Sequence, residues 1–230
     1  MPDRSLSVRA PARALTLAVD VVLFTSRGSE LAVLLAPSSS ATTATRVRRG
    51  FPSDSLRGEE SLADTAARVA RDALSTPPSF LEQATTLGGA RRVTEGPNVT
   101  VTYFGLVPDA NATRAAEWVA ISDLSSLTGR PRETLDAALT ALRARVDQQP
   151  IAFRLLPSAF TLSELQSIYE LLLGRRLHKA SFRRSLHASG LVEATDEWRS
   201  EGRGRPAQLF RYAPPRRRRQ RRGVRFDLLG

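Results

Sequence analysis

The sequence predicts an α+β chain in two modules, a layered strand-and-helix half and a smaller, strongly basic half. Three observations carry that prediction. Through the first 149 residues, apolar runs of strand character alternate with amphipathic helical stretches. From Pro150 onward, two helical patterns are followed by two short β-rich runs. The charge divides at the same place. Residues 1–150 carry 17 Arg against 16 acids, whereas 151–230 carry 16 Arg and one Lys against 7 acids, so +10 of the formal +11 lies in the last eighty residues.

Composition excludes several classes of function. A chain of 230 residues is long enough to bury two modest cores. Its 41% hydrophobic and 25% charged residues are those of a globular protein. No apolar run approaches the roughly 20 residues that cross a bilayer, and the opening MPDRSLSVRAPARA has no signal-peptide core. A cytoplasmic protein without a membrane partner is expected. The absence of cysteine removes disulfides and thiolate metal sites, and two histidines, His178 and His187, leave little imidazole chemistry. A near-neutral module joined to a basic one points to a polyanion, and first to nucleic acid, where each neutralised phosphate releases a counterion.

Leu15–Phe24 and Glu30–Leu35 read as strands around the turn Ser26–Ser29. Pro37–Thr45 and Gly50–Gly58 lack a period and read as irregular. Leu62, Thr65, Ala66, Val69, Ala70 and Ala73 recur at helical spacing, with Arg68, Arg71 and Asp72 on the other face, until Thr76-Pro77-Pro78 stops the helix. A short strand within Leu81–Arg92 ends at Gly88-Gly89. Asn98–Val107 alternates cleanly around Val99, Val101 and Tyr103. Glu117–Ile121 is a short strand, Ser122–Leu127 a turn, and Pro131–Gln148 a helix with Leu135, Ala138, Leu139, Leu142 and Val146 on one face.

The segment 150–157, framed by prolines, reads as the junction. Thr161 and Glu164 form a capping box for a helix running to Leu173 and stopped by Gly174. A second helix, His178–Ser189, ends at Gly190, where a left-handed cap is expected. Leu191–Ala194 and Leu209–Tyr212 are two strands around a polar, glycine-rich excursion, Glu197–Gln208. Two helices and a hairpin in this order outline a winged helix. The boundaries read from the sequence are therefore an N-terminal segment 1–13, a first domain 14–149, a second domain 150–213, and an arginine-rich tail 214–230 without a fold of its own.

On the second helix of the basic half, Phe182 and Leu186 fall at i and i+4 and should face the core. Lys179, Ser181, Arg183, Arg184 and His187 are left on the far side, where long donors can reach phosphates or base edges of duplex DNA. Within the excursion, Gly202-Arg203-Gly204-Arg205-Pro206 resembles a minor-groove element, so Arg203 and Arg205 join the candidate DNA contacts. A solvated amphipathic helix and a plain hairpin turn account for the same residues without any ligand.

The strand pair, the loop and the helix bearing Arg68 resemble a Nudix domain, whose box is G-x5-E-x7-R-E-U-x-E-E-x-G-U with U aliphatic. Glu60 and Arg68 keep the x7 spacing. The next glutamate of the box is Val69, the paired glutamates are Asp72-Ala73, and the closing glycine is Ser75. Nine residues separate the opening Gly50, which precedes Phe51, from Glu60 instead of five. Mg²⁺ needs converging carboxylates for its octahedral shell, and one acid stands where the pattern has three; Glu59, Glu60 and Asp64 read most simply as first-turn helix residues favoured by the macrodipole. A non-catalytic domain without metal or cofactor is therefore expected.

From about Leu15 to Tyr212 the chain resembles the Nudix-related transcriptional regulators of NAD metabolism, the NrtR family. The resemblance rests on Ile151-Ala152-Phe153-Arg154-Leu155-Leu156-Pro157, then Phe160-Thr161-Leu162-Ser163-Glu164-Leu165-Gln166, Tyr169-Glu170 and Leu173-Gly174-Arg175. It continues through Lys179, Phe182-Arg183-Arg184, Ser189-Gly190-Leu191 and Gly202–Pro206. It implies a Nudix-like α/β/α sandwich followed by a C-terminal winged helix-turn-helix domain. It further implies a homodimeric repressor that senses ADP-ribose or a related nucleotide and binds a palindromic operator beside NAD biosynthesis or salvage genes. The family's compact Gly-Gly-Phe loop is altered here, with Arg49 before Gly50-Phe51, and Thr128-Gly129-Arg130 stands where the family has an acidic-His stretch. Candidate effector contacts are Arg49, Phe51, Arg68 and Arg91, the arginines being donors suited to a diphosphate. Two alternatives stand beside the repressor: an ADP-ribose pyrophosphohydrolase with a nucleic-acid-binding C-terminal domain, and an RNA-binding or scaffold protein acting through its tail.

Overall fold

The computed structural model describes residues 16–37, 49–74, 76–88, 97–108, 113, 115–200 and 206–213. Arg91, Arg203, Arg205 and the tail lie outside the described residues. The first half centres on β1 (Leu17–Arg27), which pairs antiparallel with β2 (Glu30–Pro37) across Gly28, held at φ +59°. β1 also runs parallel to β6 (Val99–Leu106), and β5 (Phe80–Gly88) closes that side antiparallel to β6. On the other side β2 carries β7 (Glu117–Ala120) and the two-residue β3 (Arg49–Gly50), while β4 (Ser53–Asp54) pairs with β1.

Both faces of this sheet are covered, which explains why β1 is apolar almost throughout. Val19, Val21 and Leu23 pack on one face with Ala66, Val69, Ala70 and Ala73 of α1 (Leu62–Ala73). Val22 and Phe24 point to the other face and join Leu135, Ala138, Leu142 and Val146 of α2 (Arg130–Gln148). The layers are helix, sheet and helix, as expected for an α/β/α sandwich. α1 begins with a reciprocal capping box between Ser61 and Asp64.

The second half consists of α3 (Leu162–Leu173), α4 (Lys179–Ser189) and the hairpin β8 (Val192–Arg199) and β9 (Ala207–Tyr212). Gly174 and Gly190 end the two helices at φ +69° and +64°, the left-handed caps the sequence predicts. The segment 150–157 is more than a connector. Ile151–Leu155 forms a 3-10 turn whose Ile151, Ala152, Phe153 and Leu155 are buried in the same cluster as Val22 and Phe24 of β1 and as Leu165 and Phe182 of the basic half. The two halves share one continuous core. Its aromatic spine runs from Tyr212 to Phe153 (4.6 Å between ring centroids), to Tyr169 (6.5 Å) and on to Phe182 of α4 (5.7 Å).

Three expectations need correction. The stretch 50–58 is not wholly irregular but contains β3 (in part) and β4, each too short to show a period. Glu59 and Glu60 precede the N-cap Ser61 and are not in the first helical turn. The hairpin strands reach further than Leu191–Ala194 and Leu209–Tyr212, because the register shifts between Ala194 and Trp198 and breaks the alternation that marks a strand in sequence. Among the described residues, no helix is long and apolar enough to cross a membrane.

Candidate functional site

α4 is docked by Phe182 and Leu186, both buried. Its opposite face presents Lys179, Arg183, Arg184 and His187, all exposed and without a partner among the described residues. Ser181 is exposed as well, its hydroxyl 3.3 Å from His178 Nδ1. The five α4 residues selected from the sequence thus share one open surface, and the paired arginines Arg183 and Arg184 sit at its middle. Cations held free of carboxylates are available to phosphates and base edges.

The turn before α4 is built by a residue that the sequence reading did not single out as functional. Glu170 accepts hydrogen bonds from the Leu177 N–H (2.9 Å), Gln166 Nε2 (3.0 Å) and Arg176 Nη1 (3.0 Å). Burial works against its charge, but these donors hold its pKa below the ordinary value. Gln166 Nε2 also donates to the Leu177 carbonyl at 3.1 Å, so α3 sets the start of α4. The hairpin is fastened in a similar way. Arg199 Nη1 reaches Glu164 Oε1 at 2.6 Å and its Nη2 donates to the Ala159 carbonyl, tying the end of β8 to the capping box of α3. Burial raises the cost of the Glu164 charge, yet the Thr161 N–H and hydroxyl and then Arg199 bring its pKa down. Beside Arg199, Trp198 remains 58% exposed.

In the first half, the box residues do not form a metal cage. Arg68 holds both oxygens of Glu60 and, through Nη1, Asp54 Oδ2 at 2.8 Å; Arg57 takes the same Asp54 oxygen at 2.7 Å. The Arg68 hydrogen bonds bring the Glu60 carboxyl down to about 2, and those to Glu60 first and Asp54 next push the guanidinium pKa upward. Val69 and Ala73, standing at two glutamate positions of the box, are buried in the α1 core. Asp72 is exposed and 3.9 Å from Arg68. Among the described residues, no group of three His, Cys, Asp or Glu could hold a metal ion. A divalent cation of the Nudix type does not fit these residues.

The effector candidates differ in what engages them. Arg49 is paired with Glu117 and half-exposed, Phe51 is half-buried against the α2 side of the core, Arg68 is engaged by Glu60 and Asp54, and Arg91 lies outside the described residues. A second polar cluster lies beneath the start of α2. Asp20 pairs in register with Thr102 of β6, and its Oδ1 accepts the Ser53 hydroxyl at 2.6 Å. Burial pushes its pKa up, against that hydrogen bond and the charge of Arg130. Arg130 Nη2 donates to the Leu87 carbonyl at 2.7 Å, while its Nε and the Thr102 and Thr134 hydroxyls are buried without partners among the described residues. Its signal in the sequence is Asp20 itself, a lone acid inside the run LTLAVDVVLF.

Residues 152–212 match the family described as the NrtR DNA-binding winged helix domain. The chain is 31% identical over 207 residues to the ADPR responsive transcriptional repressor NtrR of Acinetobacter baylyi, covering 86% of this chain and 82% of that protein. Shewanella oneidensis NrtR, in a crystal structure with a 27mer DNA, superposes with a TM-score of 0.73 at 29% identity over 86% of this chain and 93% of the other. A MutT/nudix family protein from Enterococcus faecalis shares the fold, with a TM-score of 0.66 at 15% identity and 89% of each chain covered.

Proposed function

The chain belongs to the NrtR family of Nudix-related transcriptional regulators, and from that premise we propose that it is a homodimeric repressor that binds a palindromic operator and responds to an ADP-ribose-like nucleotide. Residues 150–213 are the DNA-binding module and 14–149 the sensing module, with regulated genes in NAD biosynthesis or salvage. The single observation that carries this reading is the unpaired cationic face of α4 beside a hairpin anchored by Arg199. Its base and phosphate contacts are Lys179, Ser181, Arg183, Arg184 and His187, joined by Arg203 and Arg205. A two-fold operator matches a dimer that presents two such faces.

The sensing module is non-hydrolytic in this reading. Val69 and Ala73 supply no carboxylate, and Glu60 is committed to Arg68. Arg68 acts as a positioning residue, holding the loop 54–60 against α1. The effector is held by Arg49, Phe51 and Arg91 together with Asp20 and Arg130, where the buried Arg130 Nε and the neighbouring Thr102 and Thr134 hydroxyls call for hydrogen-bonding partners.

Fluorescence anisotropy with duplexes from NAD-related upstream regions, with and without ADP-ribose, tests the proposal. Selective binding that ADP-ribose weakens or strengthens is expected, and Arg184→Ala should remove about 1–3 kcal/mol of discrimination. Equal affinity for unrelated duplexes at 0.15 M salt would overturn the repressor reading. Turnover of ADP-ribose with Mg²⁺ that vanishes in Asp72→Ala would replace it with the hydrolase.

A further inference from the structure

A cavity of about 610 Å³ opens between the two halves, walled by the β1–β2 turn, the middle of α2 and the C-terminal end of α3. Its apolar surface comes from Leu31, Ile121, Leu139 and Leu171. Its charged residues divide into satisfied and unsatisfied groups. Glu170 is already bound by the Leu177 N–H, Gln166 and Arg176, and Glu30 accepts the Ser122 hydroxyl at 3.2 Å. Arg143 of α2 and Arg175 after α3 line the cavity, are exposed, and have no partner among the described residues. Both belong to the same wall: the Arg143 Nη2 atom lies so close to Gly174 that a Cβ there would stand 2.9 Å from it, and Arg175 follows Gly174 in the chain and lines the same cavity.

We propose that this cleft is a second ligand site, distinct from the effector site of the sensing module, which takes a nucleoside phosphate. The two free guanidiniums take the phosphates, bidentate donors matched to phosphate oxygens, and the leucine and isoleucine surface takes the base. The volume falls in the range of small-molecule sites, roughly 300–1,000 Å³, which concentrate where domains meet. The open duplex is a poorer occupant, because the cationic face that fits it is on α4 and this cleft is recessed between modules. The C-terminal end of α3 attracts cations by its dipole alone, so the two arginines could serve only to neutralise that helix end; the test separates the two roles.

Isothermal titration calorimetry of the full chain with ATP, AMP and inorganic phosphate at 0.15 M salt decides. Saturable binding of ATP and AMP is expected, at least tenfold weaker in Arg143→Met/Arg175→Met, with inorganic phosphate weaker than either nucleotide. Arg175→Gln alone, at an exposed position, should weaken ATP several-fold while leaving the thermal midpoint unchanged, which keeps the test valid if the double variant folds poorly. Arg184→Ala should bind ATP as the wild type does. Unchanged ATP affinity in both arginine variants, equal loss in Arg184→Ala, no binding at millimolar nucleotide, or phosphate binding as tightly as ATP would each overturn the proposal.

Discussion

Arg68 clasps Glu60 across eight residues with two parallel contacts, Nε to Oε1 at 2.8 Å and Nη2 to Oε2 at 2.9 Å. The contact favours the ionised carboxyl, whose pKa falls from 4.5 to about 2. Stabilisation is therefore fully present above the unfolded value and is lost as the pH falls from about 4.5 toward 2. Glu60→Gln should lower the thermal midpoint at pH 7 and lower it much less at pH 3. Melts followed by circular dichroism check this, and an equal loss at both pH values would assign the effect to packing rather than charge.

Asp20 carries the opposite sign. Burial raises its folded pKa above 3.8, so the fold disfavours the ionised form and stability from this group declines as the pH rises through the folded value. Asp20→Asn should match the wild type below pH 3.8 and exceed it in thermal midpoint at pH 7. The same variant should bind ADP-ribose more weakly if the carboxylate receives a donor from the effector. Greater stability with unchanged effector response would remove Asp20 from the sensing site while leaving its electrostatics intact.

How far these features were legible depends on how local they are. The dockings of α1 and α4 follow from spacing alone, because Val69 with Ala73 and Phe182 with Leu186 fall at i and i+4 in sequences that leave no other apolar face. The caps at Thr161 and Gly174 are equally local. β3 and β4 were invisible, since two residues cannot display a period of two. The Glu60–Arg68–Asp54 network was half visible: the spacing of Glu60 and Arg68 marked the box, but Asp54 joins them only through the return of the loop. Glu170 illustrates the limit. Its three donors are fixed by how α3 meets the turn at Leu177, and the sequence shows only an acid near the end of a helix.

Phe153 tests whether the two halves unfold together. Its ring touches Phe160 at 5.7 Å, Tyr169 at 6.5 Å and Tyr212 at 4.6 Å between centroids, and its cluster extends into β1 and α2. A core continuous across the junction predicts one cooperative calorimetric transition for the wild type. Phe153→Ala should cost about 3–5 kcal/mol and split or broaden that transition. Two well-separated wild-type transitions would contradict the shared core.

Arg199 offers a way to separate the placement of the hairpin from direct contact with DNA. It joins the end of β8 to Glu164 and to the Ala159 carbonyl, while Thr161 and Glu164 cap α3 without it. Arg199→Ala therefore leaves the helix start intact but frees the strand that leads to Arg203 and Arg205. Binding to the operator should weaken several-fold, with binding to unrelated duplexes nearly unchanged, because non-specific affinity follows cation count and salt more than register. Arg199→Lys should restore part of the loss, since a point charge keeps one contact to Glu164 and loses the fork. If operator and unrelated duplex weaken in parallel, and the slope of affinity against salt falls by about 0.9 per lost cation, Arg199 touches phosphate itself and its bond to Glu164 is secondary.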